Sequence, residues 1–280
     1  MLLDDENVPL LSGLSEIAEN YSHFVIDLWG VIHNGVELSE HAHDTLNSLS
    51  KEGKDWVFVT NTSPAADYIS SKMVGMGLPE KLHKAKIITA GDSAHSKLSE
   101  YNGQRCMFFG LKKEVNLPEG MELLTTSDPS EAGFIFNCIG AKYSTENPQI
   151  LNEVKKGLEF DLPMVCTNPD IDVDHGGTIA KCAGYYADWY EKNGGKVFWF
   201  GKPHKPIYEK AFEKLGQPEK QNVLAIGDSL RTDISGAKKY GIDAVWNLDG
   251  TTKNSSLKEA RRLLTENKLR PIGILQGFRW

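Results

Sequence analysis

Short apolar runs alternate with amphipathic stretches along most of this chain. His23-Phe24-Val25-Ile26 is a compact run that ends at Asp27 and is bounded by Gly30. Runs of this length between turn residues read as strands buried on both faces, as in a parallel sheet. Residues about 40–50 read as a helix, and Asp55-Trp56-Val57-Phe58-Val59 as a second strand stopped by Thr60-Asn61-Thr62-Ser63-Pro64. A helix over 66–76 follows. The late part repeats the pattern. Val197-Phe198-Trp199-Phe200 predicts a strand halted by Gly201-Lys202-Pro203, and Ile207, Ala211, Phe212 and Leu215 give a helical stripe over 206–215. Asn222-Val223-Leu224-Ala225-Ile226 then runs into Gly227-Asp228, a helix is expected over about 232–240, and Asp243-Ala244-Val245-Trp246 is a further strand. Strands alternating with helices predict an α/β fold.

The middle of the chain has its own alternation. Strand candidates are Ile87-Ile88, Cys106-Met107-Phe108-Phe109, Gly133-Phe134-Ile135-Phe136 and Met164-Val165-Cys166, with helices over 91–101, 147–158 and 178–193. This block reads as a second α/β domain inserted into the first. The expected organisation is a Rossmann-like parallel-sheet core over 1–82 and 194–280, with an α/β insert over 83–193. A charged helix is expected over 256–267. The closing Gly277-Phe278-Arg279-Trp280 is expected to dock either on the core or on a second copy. Trp189-Tyr190 and Trp199 are spaced for core packing.

Composition narrows the function classes. With 280 residues, 40% hydrophobic and 25% charged, the chain has the make-up of an ordinary globular protein. A net charge of −7 argues against a general nucleic-acid binder, which needs a basic face to displace counterions. Cys106, Cys138, Cys166 and Cys182 form neither a C-x-x-C pair nor part of a zinc pattern, and read as free thiols in a reducing compartment. The first residues lack a basic region followed by an apolar run, and no stretch approaches 18 apolar residues. The expectation is a cytoplasmic protein without a membrane partner.

Chemistry concentrates at strand ends, where open parallel sheets bind ligands. Asp27, Thr60, Lys202 and Asp228 each follow an apolar run, and Asp233 lies one turn beyond Asp228. Thr60, Asn61 and Lys202 are donors suited to a phosphate. Asp27 and Asp228 are hard oxygen ligands suited to magnesium.

These residues resemble the four motifs of the haloacid dehalogenase superfamily of phosphotransferases. The match is carried by Asp27-Leu28-Trp29-Gly30-Val31, Thr60-Asn61, Lys202-Pro203, and Gly227-Asp228-Ser229-Leu230-Arg231-Thr232-Asp233-Ile234, with Gly236-Ala237 and Gly241 behind it. The gap from Thr60 to Lys202 resembles class IIA members, whose α/β cap is inserted between the second and third motifs. Thr167-Asn168-Pro169-Asp170 resembles a stretch late in those caps. The opening Gly13-Leu14-Ser15-Glu16-Ile17-Ala18, with D-x-W-G-V after it, looks like an uncharacterised subgroup of that class.

The resemblance implies that Asp27 attacks phosphorus to give an aspartyl-phosphate that water hydrolyses. It gives Thr60, the Asn61 backbone and Lys202 the phosphoryl oxygens. It gives Asp27, the Trp29 carbonyl, Asp228 and Asp233 a Mg²⁺ ion. A cap that closes over the site would set the substrate, with Asn168 and Asp170 as candidate substrate contacts. Asp172, Asp174 and His175 are read either as further contacts or as a solvated loop capping a helix near Thr178. The implied partner is a small phosphorylated metabolite such as a sugar phosphate, and homodimers are common among such relatives.

One position departs from the family pattern. Its phosphatases carry a second Asp two residues after the nucleophile, where this chain has Trp29. Indole has no titratable proton near neutral pH, so it cannot protonate a leaving group. Three readings follow: a Mg²⁺-dependent phosphatase suited to acyl or aryl leaving groups or borrowing an acid such as His33, a metal-independent dehalogenase-like hydrolase, and a non-catalytic protein that binds a phosphorylated ligand or a partner.

Overall fold

Continuously apolar strands need cover on both faces, and this chain meets that need with two separate parallel sheets. The computed structural model describes residues 8–84, 86–140, 147–175, 178–251 and 255–280. The chain divides into two compact units: residues 1–60, 67–88 and 208–280 form one, and residues 61–66 and 89–207 form the other.

The first unit holds a seven-stranded sheet in the order Leu10–Leu11, Gly273–Leu275, Asp243–Asn247, Val223–Gly227, His23–Ile26, Asp55–Thr60, Ile87–Thr89. Pairing is parallel from Leu10–Leu11 across to Asp55–Thr60. Phe24, Ile26, Val57, Phe58 and Trp246 are fully or almost fully buried. The central strand His23–Ile26 has Val223–Gly227 on one side and Asp55–Thr60 on the other. The chain leaves it in one direction and later returns to build the other half, which makes its carboxyl end a topological switch point. The terminal Gly277–Trp280 segment docks on this unit. Phe278 is buried, its carbonyl accepts from Thr45 Oγ1 at 3.1 Å, and the Arg279 carbonyl accepts from Leu14 N–H at 2.8 Å.

The second unit holds a five-stranded parallel sheet in the order Val197–Trp199, Met164–Cys166, Phe134–Asn137, Arg105–Phe109, Leu124–Thr125. One face packs against helices Pro148–Glu159 and Ala183–Lys192 through Ile135, Val154, Met164, Tyr186 and Tyr190. The other face packs against Ala94 and Leu98. The four cysteines are buried and free. Burial pushes the Cys106 thiol up to about 12, and Cys138 is raised as well.

Two sequence expectations are corrected. Val197–Trp199 belongs to the five-stranded sheet, and Ile87–Thr89 is the edge of the seven-stranded one, so the units do not divide at 82/83 and 193/194. Both sheets are parallel and buried on both faces, so their apolar runs look alike and do not reveal which sheet a strand joins. Residues 178–181 are not helical. Thr178–Lys181 pairs antiparallel with Asp172–His175, and the helix starts at Ala183. The sequence reading also did not predict Leu10–Leu11, Leu124–Thr125 and Gly273–Leu275, strands too short to leave a clear period. No helix among the described residues is long and apolar enough to cross a membrane.

Candidate active site

The register of the central strands brings the first carboxylates together. Ile26 pairs with Ile226, and Asp27 N–H continues the ladder by donating to the Ile226 carbonyl at 2.9 Å. Asp27 is therefore level with the end of Val223–Gly227, beside Asp228. The chain then turns sharply. Ser229 Oγ accepts from Thr232 N–H at 3.3 Å, and the Ser229 carbonyl accepts from Asp233 N–H at 2.9 Å, capping a wide turn over Leu230–Ile234. That turn folds Asp233 back, where its Oδ2 accepts from Ser229 N–H at 3.0 Å. Asp27, Asp228 and Asp233 are all buried, and each offers an oxygen within 4.8 Å of the others.

Three carboxylates this close repel one another, and burial strengthens the repulsion. Hard oxygens converging in a buried site suit a divalent cation, and Mg²⁺ is usually held by one or two carboxylates. The surrounding backbone is shaped to fit. A Cβ on Gly250 would stand 2.0 Å from Asp228 Oδ2, one on Gly30 2.6 Å from Asp228 Cγ, and one on Gly227 2.2 Å from Asp233 Cβ. Gly30 also has φ +79°, a left-handed backbone that favours glycine. The donor set and the cradle fit a divalent cation.

Further residues complete this frame and escaped the sequence reading. Thr251 N–H donates to Asp228 Oδ2 at 2.7 Å, and Thr251 Oγ1 and Trp246 Nε1 donate to the Asp228 carbonyl at 3.0 and 2.8 Å. Asn247 Nδ2 donates to the Gly30 carbonyl at 2.7 Å. Trp246 and Asn247 end the strand next to Val223–Gly227, so the strand-end rule applied to a fifth strand would have found them.

Thr60 ends Asp55–Thr60 and is buried. Trp29 is 38% exposed, with its indole edge near Gly35. The loop around it is tightly tied: Gly30 N–H donates to the His33 carbonyl at 2.8 Å, and Asn34 Oδ1 accepts from Val36 and Glu37 N–H, both at 2.9 Å. His33 Nδ1 accepts from Gly35 N–H at 3.0 Å, which leaves its proton on Nε2. Burial, helped by the charge of Lys72, lowers the His33 pKa to about 4. At neutral pH it holds no extra proton to give to a leaving group.

In the second unit, Asn61, Asp170 and Lys202 are joined directly. Asn61 Oδ1 accepts from Lys202 N–H at 2.6 Å, and Asn61 Nδ2 donates to the Lys202 carbonyl at 3.0 Å and to Asp170 Oδ1 at 2.9 Å. Asn168 bonds within the protein at both ends of its amide, donating to the Ile139 carbonyl and accepting from Asp170 N–H. Ser63 Oγ donates to the Thr167 carbonyl at 2.8 Å. Asp172 pairs across its hairpin with Lys181 at 3.2 Å, so it caps no helix. The side chains of Asp174 and His175 lie outside the described residues.

Models of haloacid dehalogenase-like hydrolases match residues 24–122 and 199–267, together more than half of the chain. The chain belongs to the haloacid dehalogenase superfamily of hydrolases. Among similar proteins, a 5'-nucleotidase of Bacillus subtilis, YutF, is 23% identical over 86% of this chain and 92% of its own length. An acid sugar phosphatase of Staphylococcus haemolyticus is 23% identical over 86% of this chain and 90% of its own. A solved haloacid dehalogenase-like hydrolase from Brucella suis superposes with a TM-score of 0.82 at 27% identity, covering 96% of this chain and 99% of that one. The superfamily membership makes this chain a hydrolase, and of the relatives named here one is a 5'-nucleotidase by name, one a sugar phosphatase and one a hydrolase.

Proposed function

We propose that this superfamily member is a Mg²⁺-dependent phosphatase acting on a small phosphorylated metabolite through an aspartyl-phosphate on Asp27. The observation that carries the proposal is the buried Asp27, Asp228 and Asp233 cluster at the switch point of the parallel sheet. A Asp27 carboxylate oxygen attacks phosphorus, and the bond to the leaving oxygen breaks. Water then attacks the phosphorus of the acyl phosphate, which frees inorganic phosphate and restores Asp27. Asp27, Asp228 and Asp233 would hold the ion, with the Trp29 carbonyl added by the family resemblance. When bound, Mg²⁺ offsets the repulsion between the attacking carboxylate and the phosphate dianion. By the family resemblance, Thr60, the Asn61 backbone and Lys202 take the phosphoryl oxygens and neutralise their charge. Asn168 and Asp170, expected as substrate contacts, are engaged with protein partners, and the proposal gives them to the frame around Lys202 instead.

Trp29 sets the leaving-group preference. With no acid at that position and His33 neutral, the leaving oxygen departs unassisted or takes its proton from water. This favours acyl and aryl phosphates over simple alkyl esters. The names of the two curated relatives put sugar phosphates and nucleotides next in line. The test is phosphate release from acetyl phosphate, 4-nitrophenyl phosphate, sugar phosphates and nucleotides, with Mg²⁺ and with EDTA. Turnover that needs Mg²⁺ and vanishes in Asp27→Asn supports the proposal. Folded wild-type protein that releases phosphate from none of them refutes it.

A further inference from the structure

The Asn61 side chain spends both ends of its amide on protein. Its oxygen accepts from the Lys202 N–H, and its two N–H bonds go to the Lys202 carbonyl and to Asp170 Oδ1. One amide thus clamps the donor and the acceptor of a single residue's main chain, which fixes where the Lys202 side chain begins. The clamp is close-fitting. Gly201, at φ +105°, approaches Asn61 so nearly that a Cβ there would stand 2.8 Å from Asn61 Oδ1 and 2.7 Å from Pro169 Cδ. Lys202 is itself buried.

Asp170 has a firm seat from which to orient that amide. Its N–H donates to Asn168 Oδ1 at 3.2 Å, and its carbonyl accepts from Gly184 N–H at 3.1 Å, in the first turn of helix Ala183–Lys192. Asn168 in turn is tied to the Ile139 carbonyl at 3.0 Å. Gly184 admits no side chain, since a Cβ would lie 2.6 Å from the Asp170 carbonyl oxygen.

We infer that Asp170 is a positioning residue, which orients the Asn61 amide and through it fixes the main chain of Lys202. An amide can turn over end for end, and a turned Asn61 would set its NH₂ against the Lys202 N–H. The carboxylate of Asp170 accepts only from the NH₂ end, so it selects the orientation that clamps Lys202. The role extends the phosphatase reading, in that Lys202 serves the phosphoryl group, which every substrate shares. Losing Asp170 therefore costs the same factor whatever the leaving group, whereas a residue that touches the leaving group affects some substrates far more than others.

The test has two arms on the full-length protein. In the first, amide hydrogen exchange at Lys202 is compared between wild type and Asp170→Ala. Exchange faster by about tenfold, the loss of roughly one hydrogen bond, is expected. Asp170→Asn, which keeps a carbonyl oxygen for Asn61, restores much of the protection. Asn61→Ala removes the clamp itself, marks the full effect, and serves as the comparison for Asp170→Asn should Asp170→Ala not fold. In the second arm, Asp170→Ala lowers kcat/KM by about 10- to 100-fold, as a misplaced catalytic group does. The factor is the same for acetyl phosphate, 4-nitrophenyl phosphate and a sugar phosphate, and Asp170→Asn recovers part of it. Unchanged exchange at Lys202, a loss confined to one leaving group, or an Asp170→Asn variant as impaired as Asp170→Ala overturns the inference. A wild-type protein without turnover sinks the phosphatase reading, while the exchange arm still decides whether Asp170 sets the clamp.

Discussion

Replacing Gly250 by alanine tests whether the backbone around Asp228 is as closely fitted as the geometry says. The added Cβ would stand 2.0 Å from Asp228 Oδ2 and 2.4 Å from its Cγ, whereas ordinary contact begins near 3.4 Å. The carboxylate or the turn must move by more than an ångström. If the carboxylate moves, it gives up the 2.7 Å hydrogen bond from Thr251 N–H. Overpacking costs about 1–3 kcal/mol, and a lost hydrogen bond to a charged acceptor about 1.5–3 kcal/mol, so Gly250→Ala should lose about 2 kcal/mol. At about 2–4 °C per kcal/mol, that lowers the melting midpoint by about 4–8 °C. The assay is thermal unfolding over a Mg²⁺ series. If the proposed Mg²⁺ site binds, wild type should gain stability as the ion binds the folded state, and Gly250→Ala should gain less because Asp228 is displaced. Gly75→Ala is the control. Gly75 ends helix Ala66–Gly75, its Cβ would meet nothing within 4 Å, and the change should be neutral or stabilising by up to about 1 kcal/mol. A Gly250→Ala protein with the wild-type midpoint and Mg²⁺ response refutes the reasoning.

Asn247→Ala, by removing the donor to the Gly30 carbonyl, should weaken Mg²⁺ stabilisation with a smaller loss of fold stability, read from the same melting series. Phe278→Ala should cost about 3–5 kcal/mol in denaturant unfolding, because a fully buried ring of the docked terminal segment is removed. His83 is buried and its pKa is lowered, chiefly by burial. Its contribution to stability is therefore present above the ordinary histidine pKa and lost as pH falls below it, and His83→Gln should flatten the stability profile over that acid limb. Native protein should resist thiol alkylation at Cys106 and Cys138, since burial both raises these thiols and shields them, and label only on unfolding, as a mass-spectrometric time course would show.

Where the sequence was legible, residue chemistry and strand period agreed. Phe24–Ile26 and Val223–Gly227 are apolar runs, each followed by an aspartate, and both strands end where the pattern puts them, with Asp27 and Asp228 next in the chain. The Thr60-Asn61 and Lys202-Pro203 pairs stood out, but not the use of the Asn61 amide, because a long-range hydrogen bond between residues 61 and 202 leaves no local pattern. Asp172–His175 with Thr178–Lys181 was misread because a charged four-residue strand lacks the apolar content that marks a strand. Gly250 and Thr251 were passed over because what they touch, Asp228, is distant in sequence.

The pairing of Leu10–Leu11 with Gly273–Leu275 has a consequence for how the molecule is made. A ribosome delivers the first of these strands long before the second, so Leu10–Leu11 waits for its partner until both units have been made. The central strand likewise gains its Val223–Gly227 neighbour only after the whole inserted unit has emerged. A product that stops short of Gly273 therefore presents Asp243–Asn247 as an open strand edge, a template for pairing with other chains. Such fragments carry an aggregation hazard that the pairing of Gly273–Leu275 with Val245–Asn247 removes.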